Sequence, residues 1–229
     1  MFYGFDMYYF VFIVPALLLS LWAQYKVNST YSRFAQVRNY NGLTGAQAAR
    51  RILDQNGLQQ VRIEHVRGSL TDHFDPKTNV VRLSDTVYNS SSIAAVGVAA
   101  HEVGHAVQYA QNYFPMRLRS AIIPATNFGS AISIPMILIG FLLTIEPLVT
   151  AGILLFATVA VFQLVTLPVE FNASSRAVAT LEGQGMLGGQ ELDGVRQVLS
   201  AAALTYVAAL IMSLAQLLRL MMLFGRRRD

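Results

Sequence analysis

The sequence predicts a mainly α-helical integral membrane protein with about four transmembrane or membrane-embedded helices and a small α+β domain carrying a short β-sheet. Three observations lead there. Charged residues make up only 13% of the chain against 54% hydrophobic ones, about half the charge of an ordinary soluble domain, and the mean hydropathy is +0.43. Four apolar segments stand out, Tyr8–Ala23, Ala121–Leu143, Pro147–Val169 and Ala201–Phe224, each near the length that crosses a hydrocarbon core although the first is short. Between the first and second lies a polar stretch of about a hundred residues, too long for a simple loop.

The elements follow in order. The N-terminal apolar run has no Lys or Arg before it and no small-x-small site after it, so it is expected to stay as an anchor over 1–25 rather than to be cleaved. In the polar domain, 26–119, Thr44 and Gln47 make a capping box, and Ala46, Ala49, Ile52 and Leu53 form the apolar stripe of a helix that Asn56-Gly57 stops. Val61-Arg62-Ile63-Glu64 alternates as a strand, Val80-Val81-Arg82-Leu83 suggests a second, and Asp75-Pro76-Lys77-Thr78-Asn79 is turn chemistry between them. Asn89-Ser90-Ser91 offers N-cap candidates for a helix running through Gln111. A transmembrane hairpin is expected over 120–169, where Pro124, Gly129 and Pro135 suggest a kinked or closely packed helix. A helix and polar loop follow over 170–198, and a last apolar segment with a basic tail over 199–229.

Charge sets an expected orientation. Lys26, Arg33 and Arg38 follow the first segment, Arg117 and Arg119 precede the second, and the turn around Glu146-Pro147 has no positive charge. The positive-inside rule then puts the polar domain of a multi-pass membrane protein in the cytoplasm. Arg226-Arg227-Arg228 conflicts with this if all four segments cross, unless the last one is re-entrant or interfacial. The net charge of +4 suits contact with anionic head groups of the lipid bilayer, and no nucleic-acid-binding module is present.

The most informative stretch is His101-Glu102-Val103-Gly104-His105. Two of the four histidines in the chain lie four residues apart around a glutamate, so on a helix both imidazoles share one face and can meet a single cation. Glu102 stands where a carboxylate can take a proton from a water held there. The plain alternative is a pair of packing or capping histidines. Cysteine is absent, so Zn2+ ligands here are N and O and no disulfide framework exists.

A catalytic zinc keeps three protein ligands and one open position. Leu167-Pro168-Val169-Glu170-Phe171-Asn172-Ala173-Ser174 offers Glu170 as the third, because a hairpin of two spans returns it to the membrane face of His105. Alternatively, such a carboxylate can simply end a membrane helix in the head-group region. Asp193, in Leu192-Asp193-Gly194, is the rival third ligand. That triplet is similar to an element of the site-2 intramembrane proteases, although its neighbours Gly188, Gly189, Gln190 and Glu191 look like a polar turn. Asp72-His73-Phe74-Asp75 reads as a strand end entering a turn, or else as a source of a further carboxylate, an oxyanion donor or a second metal site. His65 reads as a strand-face residue, and Tyr206 as an interfacial anchor or a phenolic donor.

Gly68-Ser69-Leu70-Thr71-Asp72-His73-Phe74-Asp75-Pro76, the Ala99–His105 core, Leu167–Ser174 and the Ala-rich run from Ala201 together resemble the YugP-like membrane zinc metallopeptidases of bacteria, distant relatives of the membrane-embedded gluzincins. The resemblance implies a zincin-like polar domain, one catalytic zinc ion on His101, His105 and Glu170, Glu102 as general base, and a peptide or protein substrate. It departs from the wider gluzincin pattern at Ser174, where an aspartate often holds a ligand histidine. Asn172, a backbone carbonyl or an acid from elsewhere is then the expected histidine partner. Two other readings stand beside a zinc endopeptidase: a site-2-type intramembrane protease using Asp193, and a membrane adaptor with structural zinc and no catalysis.

Overall fold

The computed structural model describes residues 6–224, and the Arg226-Arg227-Arg228 tail lies outside them. Six helices and three strands follow one another: a short π-helical turn, Tyr9–Ile13, leads into α1 (Val14–Ala35), then α2 (Gly45–Gln55), β1 (Arg62–Val66), β2 (His73–Asp75), β3 (Val80–Ser84), α3 (Ile93–Ala110), α4 (Phe114–Leu142), α5 (Glu146–Gly183) and α6 (Gln190–Phe224). Four helical stretches, Tyr9–Ala35 and those of α4, α5 and α6, are long and apolar enough to cross a membrane. The protein is thus mainly α-helical, with four candidate spans and a small three-stranded sheet.

The chain divides into two compact units. The apolar unit takes the chain up to Gln24, Leu118–Leu167 and the chain from Leu204 on. Its helices approach closely where side chains are small. A Cβ on Gly152 would stand 2.6 Å from Ile137 Cγ1 and 2.9 Å from the Ser133 carbonyl oxygen, and one on Gly129 would stand 2.7 Å from the Leu155 carbonyl oxygen, so α4 and α5 meet nearly backbone to backbone. Asp6 accepts from Arg219 at 2.6 Å, which ties the beginning of the first helical stretch to the last turns of α6 and makes those two helices antiparallel. Pro124 and Pro135 both lie inside α4.

The polar unit takes Tyr25–Arg117 and Pro168–Ala203. The expected capping box is present: Thr44 Oγ1 accepts from the Gln47 N–H at 3.2 Å, and Gln47 Oε1 accepts from the Thr44 N–H at 3.0 Å. Gly57, at φ +71°, ends α2 in the left-handed conformation that glycine adopts without strain.

The two expected strands are β1 and β3, but they pair in parallel, Arg62 opposite Val80 through Val66 opposite Ser84. A third strand, β2, lies between them in sequence and pairs antiparallel to β3, with Phe74 opposite Val81. The sheet order is β1-β3-β2, so the Asp75–Asn79 turn joins β2 to β3 rather than β1 to β3. The strand end read at Asp72–Asp75 is this strand, but at three residues it is too short for its pattern to set which neighbour it pairs with.

Helix α3 is the centre of this unit. Its cap is Ser92, whose hydroxyl accepts from the Ala95 N–H at 3.1 Å, one position beyond the expected Asn89-Ser90-Ser91. Ser90 instead supports Ser92 through a hydroxyl–hydroxyl bond of 3.1 Å. Nearly every residue of α3 from Ile93 to Gln108 is buried, in a core shared with Ile52 and Leu53 of α2, Val81 and Leu83 of β3, and Ala177 and Leu181 of α5. Tyr31 and Phe34, at the end of α1, join the same core. Two glycines let neighbours reach α3: Val195 of α6 lies over Gly97, and the Ala173 backbone of α5 lies over Gly104.

Candidate metal centre

Gly104 sits between the two histidines of α3, and the absence of a side chain there sets the geometry of the centre. A Cβ at that position would come within 2.9 Å of the Ala173 carbonyl oxygen and 3.3 Å of the Ala173 Cα. Helix α5 therefore rests directly on the His101–His105 face, and Glu170, nearly one turn before Ala173 on α5, extends its carboxylate between the two rings. Glu170 Oε2 is 3.2 Å from His101 Nε2 and 3.4 Å from His105 Nε2. The rings stand nearly perpendicular, with centroids 4.7 Å apart.

These three residues offer donor atoms all within 4.8 Å of one another, and they are the one such cluster among the described residues. The set fits a zinc ion. Bonds of about 2.0–2.1 Å in a tetrahedron require ligand atoms about 3.3 Å apart, and the two nitrogen–oxygen distances bracket that value. Two imidazole nitrogens and a carboxylate oxygen are also the borderline donors that zinc accepts, and three protein donors leave a fourth position.

The surroundings are polar, buried at His105 and Gln108 and part-exposed farther out at Asn172, Ser174 and Arg176. Glu170 is 2% exposed and Gln108 fully buried. His105 Nδ1 lies 3.0 Å from Gln108 Oε1, and His101 Nδ1 lies 3.1 Å from the Ser174 hydroxyl. Gln108 Nε2 donates to the Val169 carbonyl at 2.8 Å and to Asn172 Oδ1 at 2.9 Å. Arg176 Nε donates to the same Asn172 oxygen at 2.7 Å, and its Nη1 to Gln111 Oε1 at 2.6 Å. Burial opposes a charge on His105, but the bond to Glu170, aided by the negative field of Glu102 and Glu170, outweighs it and holds this imidazole's pKa above its ordinary value. Glu102 is buried beside the sheet, where its Oε2 accepts from the Phe74 backbone N–H at 3.1 Å.

A family model described as "Putative neutral zinc metallopeptidase" matches residues 9–225. The chain belongs to this family. The chain is also similar to a Bacillus subtilis (strain 168) protein named "Putative membrane protease YugP", 51% identical over 221 residues that cover 96% of this chain and 98% of that protein. No solved structure matches the chain significantly. The family likeness drawn from the sequence motifs is thus correct.

Within this family member, His101, His105 and Glu170 come together as the sequence suggested, and Glu102 lies on the neighbouring surface of α3. Asp193 does not join them. It is exposed in the first turn of α6 rather than in a polar turn before it, and it accepts from Arg196 at 2.9 Å. His73 is exposed, its Nδ1 2.8 Å from the Thr71 carbonyl oxygen, while Asp72 is spent on the Ser84 N–H and hydroxyl at 2.7 and 2.9 Å, and burial pushes its carboxyl pKa up. His65 pairs with Asp85 at 2.6 Å on the sheet surface. The expected histidine partners need correction. Ser174 does bond His101 despite being uncharged, and Asn172 acts one bond further out. The partner of His105 is Gln108, which was not among the expected Asn172, backbone carbonyl or acid. The signal for it was in the sequence, a glutamine three residues after His105 on the same helix face, but a lone amide at the end of an apolar helix reads first as a polar boundary.

Proposed function

We propose that the protein is a membrane-embedded zinc-dependent endopeptidase with the gluzincin arrangement, in which His101, His105 and Glu170 hold the ion and Glu102 is the general base. The observation that carries this reading is the convergence of one carboxylate on two imidazoles at tetrahedral spacing, next to a second carboxylate left outside the cluster. A bound zinc ion would supply Lewis acidity to a water and to a substrate carbonyl. Glu102 takes the proton of the attacking water and returns it to the leaving amine. The Phe74 N–H fixes one carboxylate oxygen of Glu102, which leaves the other to move that proton. Three clustered donors rather than four among the described residues favour an enzyme over an adaptor with structural zinc, since a structural site closes its fourth position. The exposed Arg196 pairing of Asp193 disfavours the site-2-type alternative.

The substrate class is a peptide or protein. An extended chain could pair with an outer edge of the three-stranded sheet through backbone hydrogen bonds, which impose little sequence preference. Lys26, Arg33 and Arg38 follow the first span and Arg117 and Arg119 precede the second, which supports a cytoplasmic catalytic domain in the bacterial cell membrane. The test is a Glu102→Gln variant compared with the native chain in membranes by product mapping. The variant should keep its zinc and lose about a hundredfold to ten-thousandfold in turnover. Cleavage at the native rate would exclude Glu102 as the base.

A further inference from the structure

The zinc reading leaves open what decides which nitrogen of each histidine faces the ion, and one hydrogen-bond chain answers it for His105. Its two ends cannot be reversed. Arg176 can only donate and the Val169 carbonyl can only accept. Because Arg176 Nε donates to Asn172, the Asn172 atom between Arg176 and Gln108 is the carbonyl oxygen. Both acceptors facing the Gln108 side-chain nitrogen, Asn172 Oδ1 and Val169 O, then require its NH2 group on that side. Gln108 itself is fully buried, so turning its amide over would press its oxygen against two other oxygens and leave buried groups unsatisfied, at a cost of about 1–3 kcal/mol each. The amide oxygen must therefore face His105, 3.0 Å from Nδ1, so Nδ1 carries a proton and Nε2 is the nitrogen left to bind a metal.

We propose that Gln108 is the positioning residue of the centre: it locks His105 as an Nε2 donor, and Arg176 sets its direction through Asn172. This rests on the zinc reading of His101, His105 and Glu170 and adds to it a side-chain amide as the lock, where a carboxylate, a backbone carbonyl or a water is the usual partner. It also makes the two histidines unequal. Ser174 can donate or accept, so its bond to His101 Nδ1 tolerates either tautomer. The lock spans two helices, since Gln108 lies on α3 while its acceptors lie on α5 beside Glu170. One side chain thus keeps His105 and the helix of the third donor in register.

The experiment is zinc affinity by chelator competition on the purified full chain, with ring 15N NMR of His105 as a second readout. Gln108→Leu should weaken zinc binding by about 10–100-fold. Gln108→Glu should recover much of that affinity, because it restores an acceptor for Nδ1–H, while its melting temperature stays low for want of the two donations to α5. A purely structural residue would lower the melting temperature in both variants and leave affinity unchanged. Native protein should show the Nδ1 proton on His105, with or without zinc. Native-like affinity in Gln108→Leu, or an unprotonated His105 Nδ1 in the native protein, overturns the lock alone. Native protein that takes up no zinc overturns the metal reading, and the lock with it.

Discussion

The two units solve the packing problem with different means. In the polar unit, α3 is buried over almost its whole length, and its polar groups are bonded inside the protein, His105 to Gln108, Gln108 to α5, Glu102 to β2. In the apolar unit, much of the large aliphatic and aromatic surface faces outward, including Leu18, Trp22, Phe128, Leu154 and Leu164, and close contact depends on glycines at 129, 140 and 152. The first pattern belongs to a domain with its own core. The second belongs to helices whose solvent is lipid, where small residues and not apolar burial bring backbones together. The difference teaches where a site can be built: every group of the candidate centre comes from the self-sufficient unit, although Glu170 arrives on a helix that begins in the other.

That contrast can be tested, beginning with the largest effect. Glu170→Gln should remove the anionic donor and lower zinc affinity beyond the roughly 10–100-fold typical of an outer partner, as read by elemental analysis and chelator competition. Asp193→Asn in the same series should leave it unchanged, since its carboxylate is exposed and paired to Arg196. The reverse result would move the third donor to α6.

Glycine replacements separate the units. Gly104→Val would drive a side chain into the Ala173 backbone. Such overpacking costs about 1–3 kcal/mol and should weaken zinc binding together with stability, because it pushes Glu170 away from the histidines. Gly152→Val meets Ile137 and the Ser133 carbonyl instead, so it should lower the melting temperature in detergent while zinc affinity holds. Equal loss of zinc in both variants would contradict the independence of the site.

The smallest effect is that of pH. In the zinc-free protein Glu170 favours a proton on His105, whose pKa is raised, and a metal must displace that proton. Zinc affinity should therefore fall as pH drops, by no more than about tenfold per unit for one proton, and the fall should begin above the ordinary imidazole range near pH 6.5. A fall that begins only below that range would mean that the carboxylate does not act on His105.

Much of this was legible in the sequence where a local pattern has a single physical cause. Spacing of four put His101 and His105 on one face, Thr44 and Gln47 announced a capping box, and apolar run length gave four candidate spans. What escaped depends on packing between elements. Hydropathy marks where an apolar window ends but not where its helix ends, so α6 begins at Gln190, eleven residues before the apolar segment, and takes Asp193 into its first turn. The parallel pairing of β1 with β3 needs a crossover that no local pattern encodes, and Gln108 shows its role only once α5 lies beside it.

Zinc K-edge X-ray absorption on the purified native protein tests the central claim most directly. The account predicts a single zinc species with about four nitrogen and oxygen neighbours at roughly 2.0–2.1 Å, two of them imidazoles. A zinc shell with one imidazole or none, or a protein that holds no zinc after loading, would contradict it.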